Sequence, residues 1–261
     1  MKIGICAKVT PDTDSRIKVQ GDGIDTAGIK WVVSPYDLFA VEEAIQTKEA
    51  LGGTVEEVIG YSVGPESVAT QLRQSCLALG ADKAVVVRGD AAENTDALGV
   101  ARCLAKAIER DGVDLVFCGK VSADDDNTQV PSMVAEMLGW SLISRISSFE
   151  TDGETVTATR NLDGGVQEVV TGKLPMVLTA DRGLNTPRYA KLPAIMKAKR
   201  KPVDNVTAED LGLSSDDLAP RVTATSWSPP PERPSGRMLE GDVDSQVREL
   251  ARLLREEAKV I

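Results

Sequence analysis

Histidine is absent from all 261 residues of this chain. That absence removes the commonest general base, the Ser-His and Cys-His nucleophile pairs and most zinc sites. Aromatic residues make up only 3% of the sequence, too few to build stacking platforms for nucleic-acid bases. A net charge of −10 leaves no overall basic footprint to neutralise phosphates, which argues against a nucleic-acid binder. The scarce cysteines, Cys6, Cys76, Cys103 and Cys118, stand in apolar stretches without a CxxC pair, so they read as core thiols and not as a disulfide framework or metal knuckle. No run of about 18 apolar residues is present, so direct membrane insertion is not expected. Met1-Lys2-Ile3-Gly4-Ile5-Cys6 carries no hydrophobic stretch of signal-peptide type; the expected location is the cytoplasm, or an organelle matrix if a leader was removed.

What is present is a 42% hydrophobic chain, enough for one main core with peripheral segments. Up to about residue 145, short β-branched runs alternate with longer stretches of helical period, the pattern of an α/β fold with a doubly wound, mostly parallel sheet. Candidate strands are 2–8, 55–62, 84–88 and 113–118. Ser34-Pro35 opens a helix as N-cap and first-turn proline, which ends near Gly52-Gly53; Pro65 begins the next, running to Gly80. Two more helices are expected from Thr95 to Arg110 and from Thr128 to Leu138. The period then changes to two: 155–159 and 167–170 flank Asp163-Gly164-Gly165 as a β-hairpin, and Pro175 to Ala180 forms a last core strand. Beyond 182 the signals weaken. The prolines of 228–234 predict an extended arm, and Val243, Val247, Leu250 and Leu254 predict an amphipathic terminal helix that either docks on a partner or folds back. The expected organisation is a main domain over 1–182, a distinct segment over 183–202 and a C-terminal arm over 203–261.

In doubly wound sheets ligands sit beyond the carboxyl ends of the strands, so the loops there carry the functional reading. Gly119-Lys120-Val121-Ser122-Ala123-Asp124-Asp125-Asp126-Asn127 combines a permissive glycine, a cation, hydroxyls and amides ahead of a helix amino terminus, which suits a phosphate. Three aspartates alone would repel a phosphate, so the site relies on Gly119, Lys120 and main-chain donors with the carboxylates turned to ribose, backbone or solvent; the alternative is a solvated helix start or a divalent-cation ligand set. Ser34-Pro35-Tyr36-Asp37 offers a second helix amino terminus, and Val63-Gly64 a third close approach. Neither GxGxxG nor GxxxxGK[ST] occurs. Five cations between Lys191 and Lys201 form either a partner surface or a solvated face.

Several of these segments, taken in order, resemble the beta subunit of electron-transfer flavoproteins. They are Lys8 with Pro11-Asp12, Pro35-Tyr36-Asp37 followed by Ala40 to Ala44, Gly80-Ala81-Asp82, Gly119-Lys120 with Asp124, and Asp163-Gly164-Gly165. Most specific is Leu184-Asn185-Thr186-Pro187-Arg188-Tyr189 with Leu192-Pro193 and Ile195 to Lys199. The resemblance implies a Rossmann-like, adenine-nucleotide-binding fold without catalytic side chains of its own, in which an alpha subunit holds most of the FAD while this chain buries AMP. Carried over by motif, the AMP contacts are Cys6 through its backbone, Ser34, Pro35, Tyr36, Asp37, Val63, Val116, Phe117, Cys118, Gly119, Lys120, Val121, Ser122, Ala123, Asp124, Asp125, Asp126 and Asn127. Tyr36 and Thr13 match positions that reach toward the neighbouring subunit's flavin. Pro187, Arg188, Tyr189, Leu192, Pro193, Ile195 and Met196 match a recognition loop whose leucine, here Leu192, anchors partner dehydrogenases of the acyl-CoA type. Electrons would pass on to a membrane quinone oxidoreductase. The chain departs from the pattern at Ser34 (usually Asn), Thr186 (usually Glu) and Val121-Ser122 (commonly Gln-Ala). Two alternatives stand beside this reading: an electron-bifurcating relative with a second FAD in the AMP site, and a stand-alone adenine-nucleotide sensor or hydrolase.

Overall fold

The computed structural model describes residues 1–21, 23–229, 231–232 and 235–261. The chain enters as β1 (Lys2–Cys6) and then forms a small excursion of β2 (Val9–Pro11), β3 (Lys18–Gln20), β4 (Gly23–Asp25) and β5 (Trp31–Val33), in which β2 pairs with β5 and β3 with β4. It continues through α1 (Pro35–Leu51), β6 (Glu57–Val63), α2 (Val68–Leu72, running on as a π-helical turn Arg73–Leu77) and β7 (Lys83–Arg88). Next come α3 (Asp90–Glu93), α4 (Ala97–Asp111), β8 (Leu115–Gly119) and α5 (Val130–Leu138). Four strands follow, β9 (Ser141–Thr151), β10 (Thr155–Asn161), β11 (Gln167–Lys173) and β12 (Met176–Ala180); then α6 (Leu192–Ala198), β13 (Val203–Thr207) and α7 (Val243–Arg252).

Nine strands make one sheet in the order β11-β10-β9-β12-β8-β1-β6-β7-β13. Only the β9–β10 and β10–β11 pairs are antiparallel, so β10 alone is reversed in the sheet. Side chains alternate across a strand, and the central strands are apolar on both faces because helices cover both. Leu115, Phe117, Met176 and Leu178 enter one core with Ile3, Ile5 and the helices α1 and α2, whereas Val116, Cys118 and Val177 enter the other with Ile59, Tyr61, α4 and α5. Each fully buried aliphatic side chain contributes about 1.5–3 kcal/mol, so these runs dominate the stability. Phe117 meets Phe149 edge-to-face at 5.2 Å, joining the β9–β11 extension to the central sheet.

The expected strands correspond to β1, β6, β7 and β8, and the hairpin to β10 and β11 around Asp163–Gly165. The helix expected from Thr95 starts at Ala97, because Asp96 is its N-cap and accepts from the Leu98 and Gly99 amides. The one expected from Pro65 starts at Val68, after a turn. Ser34 occupies the N-cap position of α1, yet its side chain does not cap; Pro35 supplies the helical start. The arm is shorter than expected. Residues 203–207 return as β13 against β7, and Leu211, Leu213 and Leu218 are buried under α4, so the chain leaves the body only after Val222, whose amide donates to Asp96. Of the proline-rich arm, Ser228, Pro229, Pro231 and Glu232 lack regular structure, while Pro230, Arg233 and Pro234 lie outside the described residues. The terminal helix forms as α7, with Val243, Val247 and Leu250 exposed along it. Among the described residues, no helix is long and apolar enough to cross a membrane.

Candidate functional site

From β1 the chain winds outward through β6 to β7, then returns to lay β8 on the other side of β1. Loops leaving the carboxyl ends of β1 and β8 therefore diverge, which opens a crevice at the switch point. Asp37, in the first turn of α1, closes the floor of this crevice. Its buried carboxylate accepts from the Lys8 amide at 2.7 Å and the Gly119 amide at 2.9 Å, tying the ends of both strands to the helix. Burial pushes its pKa up to about 7, against the opposing pull of the two amides and Lys8. Gly119 is required by this approach: a β-carbon there would lie 2.4 Å from Asp37 Oδ1 and 2.8 Å from the Asp37 amide nitrogen.

Lys8 spans the mouth. Its Nζ reaches Asp124 at 2.9 Å and Asp125 at 3.0 Å, with Ser122 Oγ at 3.4 Å. Burial works against its charge, but those two carboxylates outweigh it and raise the pKa. Asp124 and Asp125 are thus turned onto a lysine. Asp126 and Thr128 hold positive φ of 55° and 58° as the loop turns into α5, and the Asn127 side chain accepts from the Gln129 amide. On the other flank Lys120 pairs with Asp181 at 2.6 Å and lies 5.2 Å over the Tyr36 ring, with Arg182 at 6.0 Å from the same ring.

Of the residues singled out from sequence, the structure gathers Cys6, Ser34, Pro35, Tyr36, Asp37, Cys118, Gly119, Lys120, Ser122, Asp124 and Asp125 around this edge. Cys6 and Cys118 are in-register neighbours on β1 and β8, both buried. Val63 ends β6, one strand further along, where the Gly64 amide bonds to Val87. Val121 is buried beyond Gly119, and Ala123, Asp126 and Asn127 lie on the loop surface. Val116 and Phe117 send their side chains into opposite cores, which leaves only their main chain for any ligand. Thr13 stands exposed on the turn after β2. Sequence reasoning missed Asp181, although it follows β12 directly and the strand-end rule could have found it; it also missed Thr10, whose buried hydroxyl carries no signal in the sequence.

Two buried hydroxyls, Ser34 Oγ and Thr10 Oγ1, have no hydrogen-bond partner among the described residues. Ser34 abuts the end of β1, its amide donating to the Lys8 carbonyl at 2.9 Å. A cavity of about 630 Å³ is lined by Lys2, Glu56 and Asp114 at the amino ends of β1, β6 and β8 and by Lys173 at the end of β11, so it lies away from the carboxyl ends of the central strands, where such sheets bind ligands.

The recognition segment is compact. Pro187 and Arg188 pass over α1, and Leu192 to Ala198 form α6 with Pro193 in its first turn. Tyr189 is 96% exposed, Leu192 72% and Met196 55%, whereas Ile195 packs against the core.

The molecule is therefore a mostly parallel α/β protein with charged loops gathered over its switch point. A family model for the electron transfer flavoprotein domain matches residues 23–211. Electron transfer flavoprotein subunit beta of Bacillus subtilis (strain 168) is 37% identical over 262 residues, spanning 100% of both chains. The subunit beta of Homo sapiens is 38% identical over 259 residues, 97% of this chain and 99% of that one. That of Mus musculus is 40% identical over 242 residues, 91% of this chain and 92% of its own. The chain belongs to the electron transfer flavoprotein family, among its beta subunits, as the sequence motifs indicated.

Proposed function

We propose that this chain binds AMP in the carboxyl-edge crevice, helps an alpha subunit hold FAD, and thereby carries electrons from primary dehydrogenases, those of acyl-CoA type among them, to a membrane quinone oxidoreductase. The observation that carries the nucleotide reading is Ser34. A hydroxyl buried without a partner at a helix start, beside a strand end and within the reach of diverging loops, asks for a ligand acceptor or donor. The residues present suit a nucleotide monophosphate: Lys8 and Lys120 flank the mouth, and α5 begins at the loop with no side chain capping its first amides among the described residues. Lys8 and Lys120 are each already paired with carboxylates, so a ligand of low charge fits better than a triphosphate.

FAD, when bound, supplies the one- and two-electron chemistry. The residues of this chain place and enclose it: Tyr36, fixed between Lys120 and Arg182, is the side chain toward the flavin, and no side chain here makes or breaks a substrate bond. Leu192 is the docking anchor for dehydrogenases, with Tyr189 and Met196 beside it. The body over 1–182, the recognition segment and the arm ending in α7 serve as nucleotide site, partner contact and alpha-subunit contact respectively.

Chromatography of nucleotides released from the purified heterodimer tests this reading. One FAD and one AMP per heterodimer are expected; two FAD and no AMP would establish the bifurcating arrangement instead. A colourless protein responding to ATP would overturn the flavoprotein role in favour of a sensor.

A further inference from the structure

The segment carrying Tyr189, Leu192 and Met196 is fastened to the body at both ends. At its start the Asn185 side chain donates to the Phe39 carbonyl at 3.0 Å and to Glu43 at 2.8 Å, both on α1. Arg188 then lays its guanidinium between two carboxylates of the same helix. Nε reaches Glu42 at 2.9 Å, Nη2 reaches Glu42 and Glu49 at 2.9 Å each, and Nη1 reaches Glu49 at 2.6 Å. The Glu42 side chain is 2% exposed, and Gln46 donates to it as well. Burial would raise its pKa, but Arg188 and Gln46 hold it below the ordinary range.

At the far end Arg73, from the helix after β6, donates to three backbone carbonyls at and just beyond the end of α6: those of Ala198 at 3.0 Å, Lys199 at 3.3 Å and Lys201 at 2.8 Å. Lys201 in return places its ammonium on the carbonyls of Leu77 at 3.0 Å and Ala81 at 2.6 Å. Between the two fastenings lies α6, only seven residues long. A helix of that length has no stability of its own in water, so its conformation depends on what holds its ends.

We propose that Arg188 and Arg73 are positioning residues that hold Tyr189, Leu192 and Met196 in one preorganised arrangement, so that a partner docks on a surface already formed. The proposal rests on the docking role assigned to Leu192 above. Its physical content is entropic: a loop ordered before encounter does not have to be ordered at the expense of binding. Arginine is required at 188 because one planar group serves two carboxylates at once, a task for which lysine has one point charge.

The test uses the intact heterodimer with an acyl-CoA-type dehydrogenase, in four variants: Arg188→Lys, Arg73→Gln, Glu49→Gln and Leu192→Ala. Glu49 is exposed, so its substitution halves the fork without leaving a buried charge unpaired, which covers the case in which Arg188→Lys fails to fold. Amide hydrogen exchange over 186–198 is expected to quicken about tenfold in Arg188→Lys, Arg73→Gln and Glu49→Gln. KM for the dehydrogenase is expected to rise about three- to tenfold in the same variants, while Arg73→Gln and Glu49→Gln keep the rate at saturating dehydrogenase. Leu192→Ala should raise KM without altering exchange. A raised KM in Leu192→Ala, with unchanged exchange or unchanged KM in the clamp variants, overturns the positioning role alone. An unchanged KM in Leu192→Ala overturns the docking reading and the proposal with it.

Discussion

Asp37 shows how a single side chain sets the site and a measurable property together. In the folded chain its carboxyl ionises at about 7, against an ordinary value of 3.8, because burial disfavours the charge. Between those values the folded state keeps a proton that the unfolded state has released. Stability from this group is therefore full at low pH and is lost as pH rises from about 4 to about 7, after which it no longer changes. Asn at this position keeps a carbonyl acceptor for one amide but does not titrate. The melting temperature of wild type relative to Asp37→Asn should accordingly fall between pH 5 and pH 7.5; a constant difference across that range would show that Asp37 is ionised throughout. Residue types in this region were legible in the sequence, but their partners were not. Gly119 reads as room for a phosphate, yet its missing β-carbon leaves room for Asp37; and of the three aspartates, ambiguous in sequence, Asp124 and Asp125 find their partner only because Lys8, 116 residues from Asp124, lies across the loop.

Elements are legible where burial imposes a period and illegible where it does not. β1, β6, β7 and β8 are apolar on both faces and announce themselves as short runs. β9 escapes because Ser141, Ser144, Ser147 and Ser148 dilute its apolar residues, even though Ile143 and Ile146 reach the core. β13 escapes because it is an edge strand with polar Asp204 and Asn205 in its middle; only its pairing with β7 reveals it. α6 is too short to show a helical period, and proline at its second residue hides it further. Its Leu192 points to solvent, which gives the element a separable prediction. Leu192→Ala should shift the melting temperature by less than about 1 °C, since an exposed side chain contributes little to folding, yet should weaken dehydrogenase docking by about 2 kcal/mol. A loss of several degrees with docking intact would place Leu192 in the subunit's own core.

At the scale of the whole molecule, the body and the arm obey different rules. Arg221 and Val222 donate their amides to the N-cap carboxylate of Asp96 at 2.6 Å and 3.1 Å, so the last side-chain hydrogen bond between the C-terminal segment and the body among the described residues is also made by the cap of α4. Beyond that point α7 presents Val243, Val247 and Leu250 to solvent, a stripe that no monomer gains from exposing. Part of its charge is paired within the arm: Arg252 with Glu249 and Glu256, and Arg237 with Glu249. Charge therefore gives the helix local stability, and the apolar stripe is left as the part that needs a partner. Deleting residues 223–261 should leave the melting temperature of the isolated chain within about 2 °C of the full-length value, because the deleted stripe is exposed and the Asp96 cap is retained. Assembly with the alpha subunit should weaken at least about tenfold, since burying three aliphatic side chains on a partner outweighs the cost of fixing one preformed helix. Analytical ultracentrifugation of the two subunits at micromolar concentration reads the second effect directly. If the truncated chain melts many degrees lower and assembles normally, the stripe covers this subunit's own surface and the arm is a strap, not a hand.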